Sequence, residues 1–177
     1  MDFQTQPTLQ NEFVKLVPLQ ETDFEILYKV ASDPLIWEQH PNKNRWKKEV
    51  FENFFKGAIE SKGAFLIYDT KTNEPIGSSR FYDVDENKSE VSIGYTFFAR
   101  SHWGGKYNPS AKHLMISHAF KYVNTITFHI GANNIRSQKA IERLGAVKVD
   151  EQEINYFGED CNLNFIYQIS KATYRNC

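Results

Sequence analysis

Apolar residues recur along this chain with two periods, and the changes of period mark its elements. An apolar-rich run at 13–19 (FVKLVPL) predicts a short strand. Thr22, Asp23 and Glu25 then open a helix with Phe24, Leu27 and Tyr28 on one face, ending before Asp33-Pro34. A polar loop over 37–44 leads to a second helix over 45–62, in which Trp46, Val50, Phe54 and Ile59 approximate one stripe and Gly63 marks the end. Strands follow at 64–68, 76–82 and 90–98. In the last, Val91, Ile93, Tyr95 and Phe97 fall on one face and Glu90, Ser92, Gly94 and Thr96 on the other. Asn108 as N-cap and Pro109 as first residue predict a helix with an inward stripe of Ala111, Leu114, Met115, His118, Ala119 and Tyr122. A strand at 125–130, a helix over about 135–144 between Asn134 and Gly145, and strands at 147–157 and 162–169 joined at GEDC complete the chain.

The order β-α-α-β-β-β-α-β-α-β-β predicts an α+β (α/β mixed-sheet) fold with about seven strands and about four helices. The crossover from 90–98 to 125–130 predicts a parallel, right-handed pair. No repeat, linker or low-complexity segment divides the 177 residues, so residues 1–177 are expected to form one domain. Aromatics at 15% argue against disorder. No run reaches the ~18 apolar residues of a membrane helix, and the N-terminus lacks a signal-peptide pattern. Cys161 and Cys177 make neither a disulfide framework nor a zinc spacing, and the five histidines offer no metal site, so a metal-free cytoplasmic protein is expected.

Net charge is −1, yet residues 100–143 carry +6 and the remainder −7. A polyanionic ligand (nucleic acid, a phosphorylated cofactor or an acidic surface) would explain the asymmetry, as would ordinary charged helix surfaces. Within the basic segment, Gly104-Gly105 stands immediately before a helix N-terminus. Glycine allows close backbone approach, and the first turn of a helix offers free N–H groups and a positive dipole end. Alone, that pair reads as an ordinary strand-to-helix turn that uses glycine for geometry.

The joint pattern is longer: Ser92-Ile93-Gly94-Tyr95, then Trp103 to Tyr107 (WGGKY), a helix, a strand, and Asn134 to Ala146 (NIRSQKAIERLGA). It resembles the GCN5-related N-acetyltransferase (GNAT) superfamily. The closest likeness is to the branch of ribosomal-protein N-terminal acetyltransferases, where a strand reading E-I-G-Y leads to W-G-x-G-Y and N-x-x-S-x-x-x-x-E-x-x-G-F opens the following helix. The resemblance spans nearly the whole chain. It implies a cytoplasmic acetyl-CoA-dependent transfer to a primary amine, a protein N-terminus or a small molecule, with no metal and no membrane partner. It also implies that the amides of Trp103, Gly104, Gly105, Lys106, Tyr107 and Asn108 hold the coenzyme A pyrophosphate. Phe97, Phe98 and Ala99 would pair with the pantetheine amides as an added strand, and Arg100 and Lys106 would pair with phosphate. Four positions depart from the pattern: Lys106 replaces its second glycine, Ala146 its Phe and Ser92 its strand carboxylate, and Ile141 stands where many members carry a tyrosine acid.

By the same resemblance, Ser137 hydrogen-bonds the cofactor sulfur and can protonate the leaving thiolate; from the residues alone it reads as a packing or helix-start serine. Asn134 is an N-cap that can also contact coenzyme A. Glu90 lies on the face of Ser92, about 6.6 Å away along an extended strand. It is either a proton relay from the amine or a solvated strand-end carboxylate, with Glu151 and Glu153 as rivals. Trp37, His40 and Trp46 are candidates for an acceptor pocket, with Trp46 equally a core residue. His102 could touch phosphate, and His118 fits the core. A different class of protein stays open: a non-catalytic coenzyme A sensor, or an RNA-binding surface using Trp103, Tyr107 and Phe128, although no recognised RNA motif is present. The terminal strands and aromatic loops are compatible with a homodimer.

Overall fold

The computed structural model describes residues 3–155 and 160–174. Part of the GEDC turn (158–161) and Cys177 lie outside the described residues; Cys161 is an exposed free thiol. Eight strands form one sheet: β1 (Leu9–Gln10), β2 (Val14–Pro18), β3 (Ala64–Asp69), β4 (Pro75–Asp85), β5 (Glu90–Phe98), β6 (Thr125–Gly131), β7 (Val147–Asn155) and β8 (Cys161–Ser170). Their order is β1-β2-β3-β4-β5-β6-β8-β7. The β5/β6 pair is parallel and its neighbours are antiparallel. The strand beyond the expected seven is β1, whose two residues are too short to show alternation.

Two apolar layers enclose the sheet. Leu27 and Ala31 of α1 (Phe24–Ala31) and Phe51, Phe54, Phe55 and Ala58 of α2 (Lys48–Glu60) cover one face with Leu66 and Phe97. Ala111, Met115, Ile116 and Ala119 of α3 (Tyr107–Ala119) and Ile141 of α4 (Ile135–Glu142) cover the other with Val91, Ile93 and Phe98. No helix among the described residues is long and apolar enough to cross a membrane.

Three local expectations are corrected. α2 starts at Lys48, and its buried stripe is Phe51, Phe54, Phe55 and Ala58, with Trp46 packed against it from the preceding turn. Lys62 takes the left-handed conformation after α2 (φ 49°); Gly63 is needed instead for close approach, since a Cβ there would lie 2.1 Å from the Phe81 carbonyl oxygen. α3 begins at Tyr107 with Lys106 before it, so Asn108 and Pro109 sit inside the first turn, where proline removes no intrahelical hydrogen bond.

The fourth correction positions the site. β5 does not keep one alternation. Its register moves from Arg80↔Gly94 to Ser78↔Phe97, so Ser79 stands against both Tyr95 and Thr96. Tyr95 takes φ 53°, a left-handed value that costs a bulky residue strain. The extra residue reverses the facing of everything after it. Val91 and Ile93 lie in the α3–α4 layer, whereas Tyr95 and Phe97 pack in the α1–α2 layer. The Arg80 guanidinium lies 3.9 Å from the Tyr95 ring centroid and donates to the carbonyls of Gly57 (3.1 Å) and Phe54 (3.3 Å), fixing the bulge against α2.

Candidate active site

β5 and β6 pair only at Glu90↔Thr125, Val91↔Ile126 and Ser92↔Thr127. Beyond these residues, where the bulge turns β5, the strands part. A cleft of about 680 Å³ occupies the gap, walled by 93–98 of β5 and 128–131 of β6 and reaching Gly104, Gly105 and Asn108 at the start of α3 and Asn134 and Ser137 at the start of α4. Parallel strands that separate in this way leave backbone hydrogen-bonding groups facing a groove, where an extended ligand can add itself as a strand.

The turn between β5 and α3 is tied down at both ends. Trp103 Nε1 donates to the Phe98 carbonyl (2.9 Å), and the Arg136 guanidinium stacks 3.9 Å from the Trp103 ring. Tyr107 Oη donates to Asp69 (2.7 Å), a bond that holds the Asp69 carboxyl below its ordinary range. Between these anchors Gly104 takes φ 70°, and a Cβ on Gly104 or Gly105 would meet nothing within 4 Å. Asn108 Oδ1 is buried and has no hydrogen-bond partner among the described residues. Open backbone at a helix start beside an orphaned amide is chemistry suited to an anionic, amide-bearing ligand.

Charge along the cleft agrees. Arg45, Lys112, Arg136 and Arg143 line it, together with His40, His102, His113 and His129, and no carboxylate does among the described residues. The basic central segment thus turns Lys112, Arg136 and Arg143 toward a common gap. Burial lowers Lys112 to about 7. Burial, then the Arg45 charge, lowers His40 well below the ordinary histidine value, and its Nδ1 accepts from the Asn42 N–H (2.9 Å). His129 is also lowered, mainly by burial and against the opposing charges of Asp83 and Glu90.

Of the residues expected at the site, Trp37, His40, Phe97, Phe98, Trp103, Gly104, Gly105, Asn108, Asn134 and Ser137 line the cleft. Asn134 caps α4 by accepting from the Ser137 N–H (3.2 Å). Trp37 is buried, with its indole donating to the Ala31 carbonyl (2.8 Å). The others are engaged elsewhere. The Ala99 N–H donates to Ile76 (2.8 Å) on the β4 side, and by alternation the Phe97 amide belongs to the same ladder, so the Phe98 N–H faces the gap, its carbonyl being held by Trp103. Arg100 bonds Asp33. Lys106 lies over the Phe13 ring, 3.9 Å from its centroid. Tyr107 serves as the anchor described above.

Glu90 lies in an adjoining groove with Ser92, Thr127, His129 and Asp150, where it accepts from Thr127 Oγ1 (2.8 Å) and Gln168 Nε2 (3.4 Å). His129 lines both groove and cleft. Glu151 and Glu153 are exposed on β7 and reach neither cavity. His118 bonds the Gln4 carbonyl (2.7 Å) within the core. Sequence reasoning missed Lys112, His129, Arg136 and Arg143 as cleft residues. For Lys112 a signal existed: it falls three and four residues before Met115 and Ile116 on the buried stripe of α3.

The profile described as "Acetyltransferase (GNAT) domain" matches residues 14–147. No curated protein matches the chain by sequence. Among solved structures, a GCN5-related N-acetyltransferase from Brucella melitensis superposes with a TM-score of 0.81 at 15% identity, over 94% of this chain and 80% of that one. RimJ from Mycobacterium smegmatis, in complex with CoA-disulfide, gives 0.69 at 16% identity over 90% of this chain and 82% of that one. Spermidine N-acetyltransferase from Vibrio cholerae, in complex with CoA and spermine, gives 0.70 at 14% identity over 93% and 99%. These likenesses concern the fold. With the profile spanning β2 through the start of β7, including both walls of the cleft, the chain belongs to the GNAT acetyltransferase family, whose members draw their acetyl group from acetyl-CoA.

Proposed function

We propose that the chain is an N-acetyltransferase that moves the acetyl group of acetyl-CoA to a primary amine by direct attack. The observation that carries this reading is the cleft between β5 and β6, which opens at the Tyr95 bulge and ends on the glycine turn before α3. The N–H groups around Gly104, Gly105 and Asn108 would hold the pyrophosphate, with Arg136 and Arg143 supplying positive charge. The Phe98 backbone would pair with pantetheine, and Ser137 would hydrogen-bond the sulfur. The amine would approach from the α1–α2 face, past Trp37, His40 and Tyr95.

An amine must be neutral to attack, and its ordinary pKa is about 8 for an α-amine and above 10 for a lysine. Glu90 and His129 provide the outlet for its proton. Their groove also contains Asp83, Asp85 and Asp150 against a single lysine, Lys88, whereas the cleft contains only cations and neutral groups. A cationic amine is therefore favoured in the groove and must shed its charge before entering the cleft. A protein N-terminus is supported by the motif likeness to the ribosomal-protein branch; a small amine meets the same charge requirement.

The test is thiol release from acetyl-CoA in the presence of peptide N-termini, polyamines and amino acids. Amine-dependent release with a matching acetylated product is expected. No turnover with any amine, while acetyl-CoA still binds, would refute the transferase reading and leave a coenzyme A sensor.

A further inference from the structure

Lys112 has no place in the motif, yet it lines the cleft from the second turn of α3 and is only 5% exposed. Its Nζ donates to Thr96 Oγ1 (2.5 Å) and lies 3.5 Å from Ser79 Oγ, and these two hydroxyls share a hydrogen bond of 2.8 Å. The Phe128 ring centroid is 5.8 Å from Nζ. No carboxylate pairs with it among the described residues. A buried ammonium without an anion is costly and is retained only where something else uses it.

The bulge fixes the side on which Lys112 stands. After Tyr95, Thr96 and Phe98 turn to the α3–α4 layer while Tyr95 and Phe97 turn to the α1–α2 layer. Lys112 therefore approaches the gap from the face opposite Trp37, Tyr95 and His129. Resting on the acetyl-transfer reading above, we infer that Lys112 donates the proton to the departing coenzyme A thiolate, from the α3 face, while the amine attacks from the other. As the N–C bond forms and the C–S bond breaks, the electron pair passes to sulfur. One Nζ proton follows it, leaving a free thiol and a neutral Lys112 that is reprotonated from solvent. The amine's proton leaves on the opposite face toward Glu90 and His129.

Acidity favours this assignment. Burial brings the Lys112 ammonium to about 7, below the ~8.5 of an ordinary thiol, so the transfer runs downhill. A serine hydroxyl is a far weaker acid, so Ser137 orients the sulfur without supplying its proton. Arginines do not release protons. His102 and His113 are engaged with Ser101 (2.9 Å) and Tyr174 (2.5 Å), and His129 belongs to the other face.

The experiment compares wild type, Lys112→Met and Lys112→Arg. Thiolate absorbance of bound coenzyme A across pH reads the sulfur without any acceptor. Its titration is expected to be alike in wild type and Lys112→Met, because Lys112 at about 7 is already neutral when the thiol ionises, and about one unit lower in Lys112→Arg, which keeps a charge beside the sulfur at every pH. With an amine, both variants should lose about 100-fold in kcat at unchanged KM for acetyl-CoA, and both should lose the alkaline fall of the pH profile. The other ionisable cleft groups are His40, Arg45 and His102 on the loops, His113 on α3, Tyr82 on β4, Tyr95 on β5, His129 on β6, and Arg136 and Arg143 on α4 and its C-cap; all are common to the three proteins. A thiol titration in Lys112→Arg no lower than in wild type, or full kcat in Lys112→Met, would overturn the proposal. If wild type turns over no amine, the acetyl-transfer reading fails while the thiol titration still decides the role of Lys112.

Discussion

Replacing Lys112 by methionine should stabilise the fold, by an amount that depends on pH. Burial holds the lysine at about 7 in the folded chain against an ordinary 10.5. Between those values the unfolded chain keeps a proton that the folded chain has released, so wild-type stability rises with pH by about 1.4 kcal/mol per unit. Below the folded value both states are protonated and the whole penalty is present. Methionine carries no such penalty, and its unbranched chain fits irregular space beside Phe128. Ser79 and Thr96 keep their mutual bond of 2.8 Å, so neither hydroxyl is orphaned by the exchange. The advantage of the variant should therefore shrink by about 2.7 kcal/mol between about pH 7.5 and 9.5, where the difference is one proton. At roughly 2–4 °C per kcal/mol for a chain of this size, that is about 5–11 °C in the difference of melting temperatures. Parallel melting curves of both proteins across this range provide the measurement, and groups common to both cancel. A variant less stable than wild type at every pH, or a gain that does not change with pH, would refute the burial of an uncompensated lysine.

Gly104→Asp should abolish coenzyme A binding at only the modest cost of an aspartate at φ 70°, because its Cβ meets nothing within 4 Å while its carboxylate would face the pyrophosphate. Wild type should gain about 2.7 kcal/mol at 100 times the dissociation constant, and an equal melting shift in the variant would contradict the loop assignment. Ser137→Ala should retain that shift but lose about tenfold in kcat, the worth of one hydrogen bond to the sulfur; full turnover would remove the serine from the mechanism. Glu90→Gln should lose less than Ser137→Ala, since the amide can keep the bond from Thr127 and His129 remains beside the cleft; a greater loss would make Glu90 the principal outlet for the amine's proton.

Period and punctuation carried most of the architecture. Val91 and Ile93, the Gly104-Gly105 turn and the Asn134 cap were all legible because each follows from its immediate neighbours in sequence. The bulge was not. Its signal is a single residue at φ 53°, Tyr95, held by Arg80 and by contacts with α2 that no local window contains. Strict alternation places Tyr95 and Phe97 on the wrong face and gives no reason for β5 and β6 to part. Arg100 and Lys106 were reasonable phosphate partners by position, but Asp33 and the Phe13 ring, both distant in sequence, claim them. A lysine such as Lys112 on an amphipathic helix reads as part of its solvated face. Its register with Met115 and Ile116 pointed inward, and only the hydroxyls of Ser79 and Thr96 explain how it is accommodated.

The central claim is that the gap opened by the Tyr95 bulge holds acetyl-CoA with its sulfur between α3 and α4. A crystal structure of the chain with bound coenzyme A tests it most directly. The account predicts the pyrophosphate on the amides at Gly104, Gly105 and Asn108, pantetheine paired with Phe98, and the sulfur within hydrogen-bond reach of Ser137 Oγ and Lys112 Nζ. Coenzyme A bound outside the β5/β6 gap, or a sulfur remote from both side chains, would contradict it.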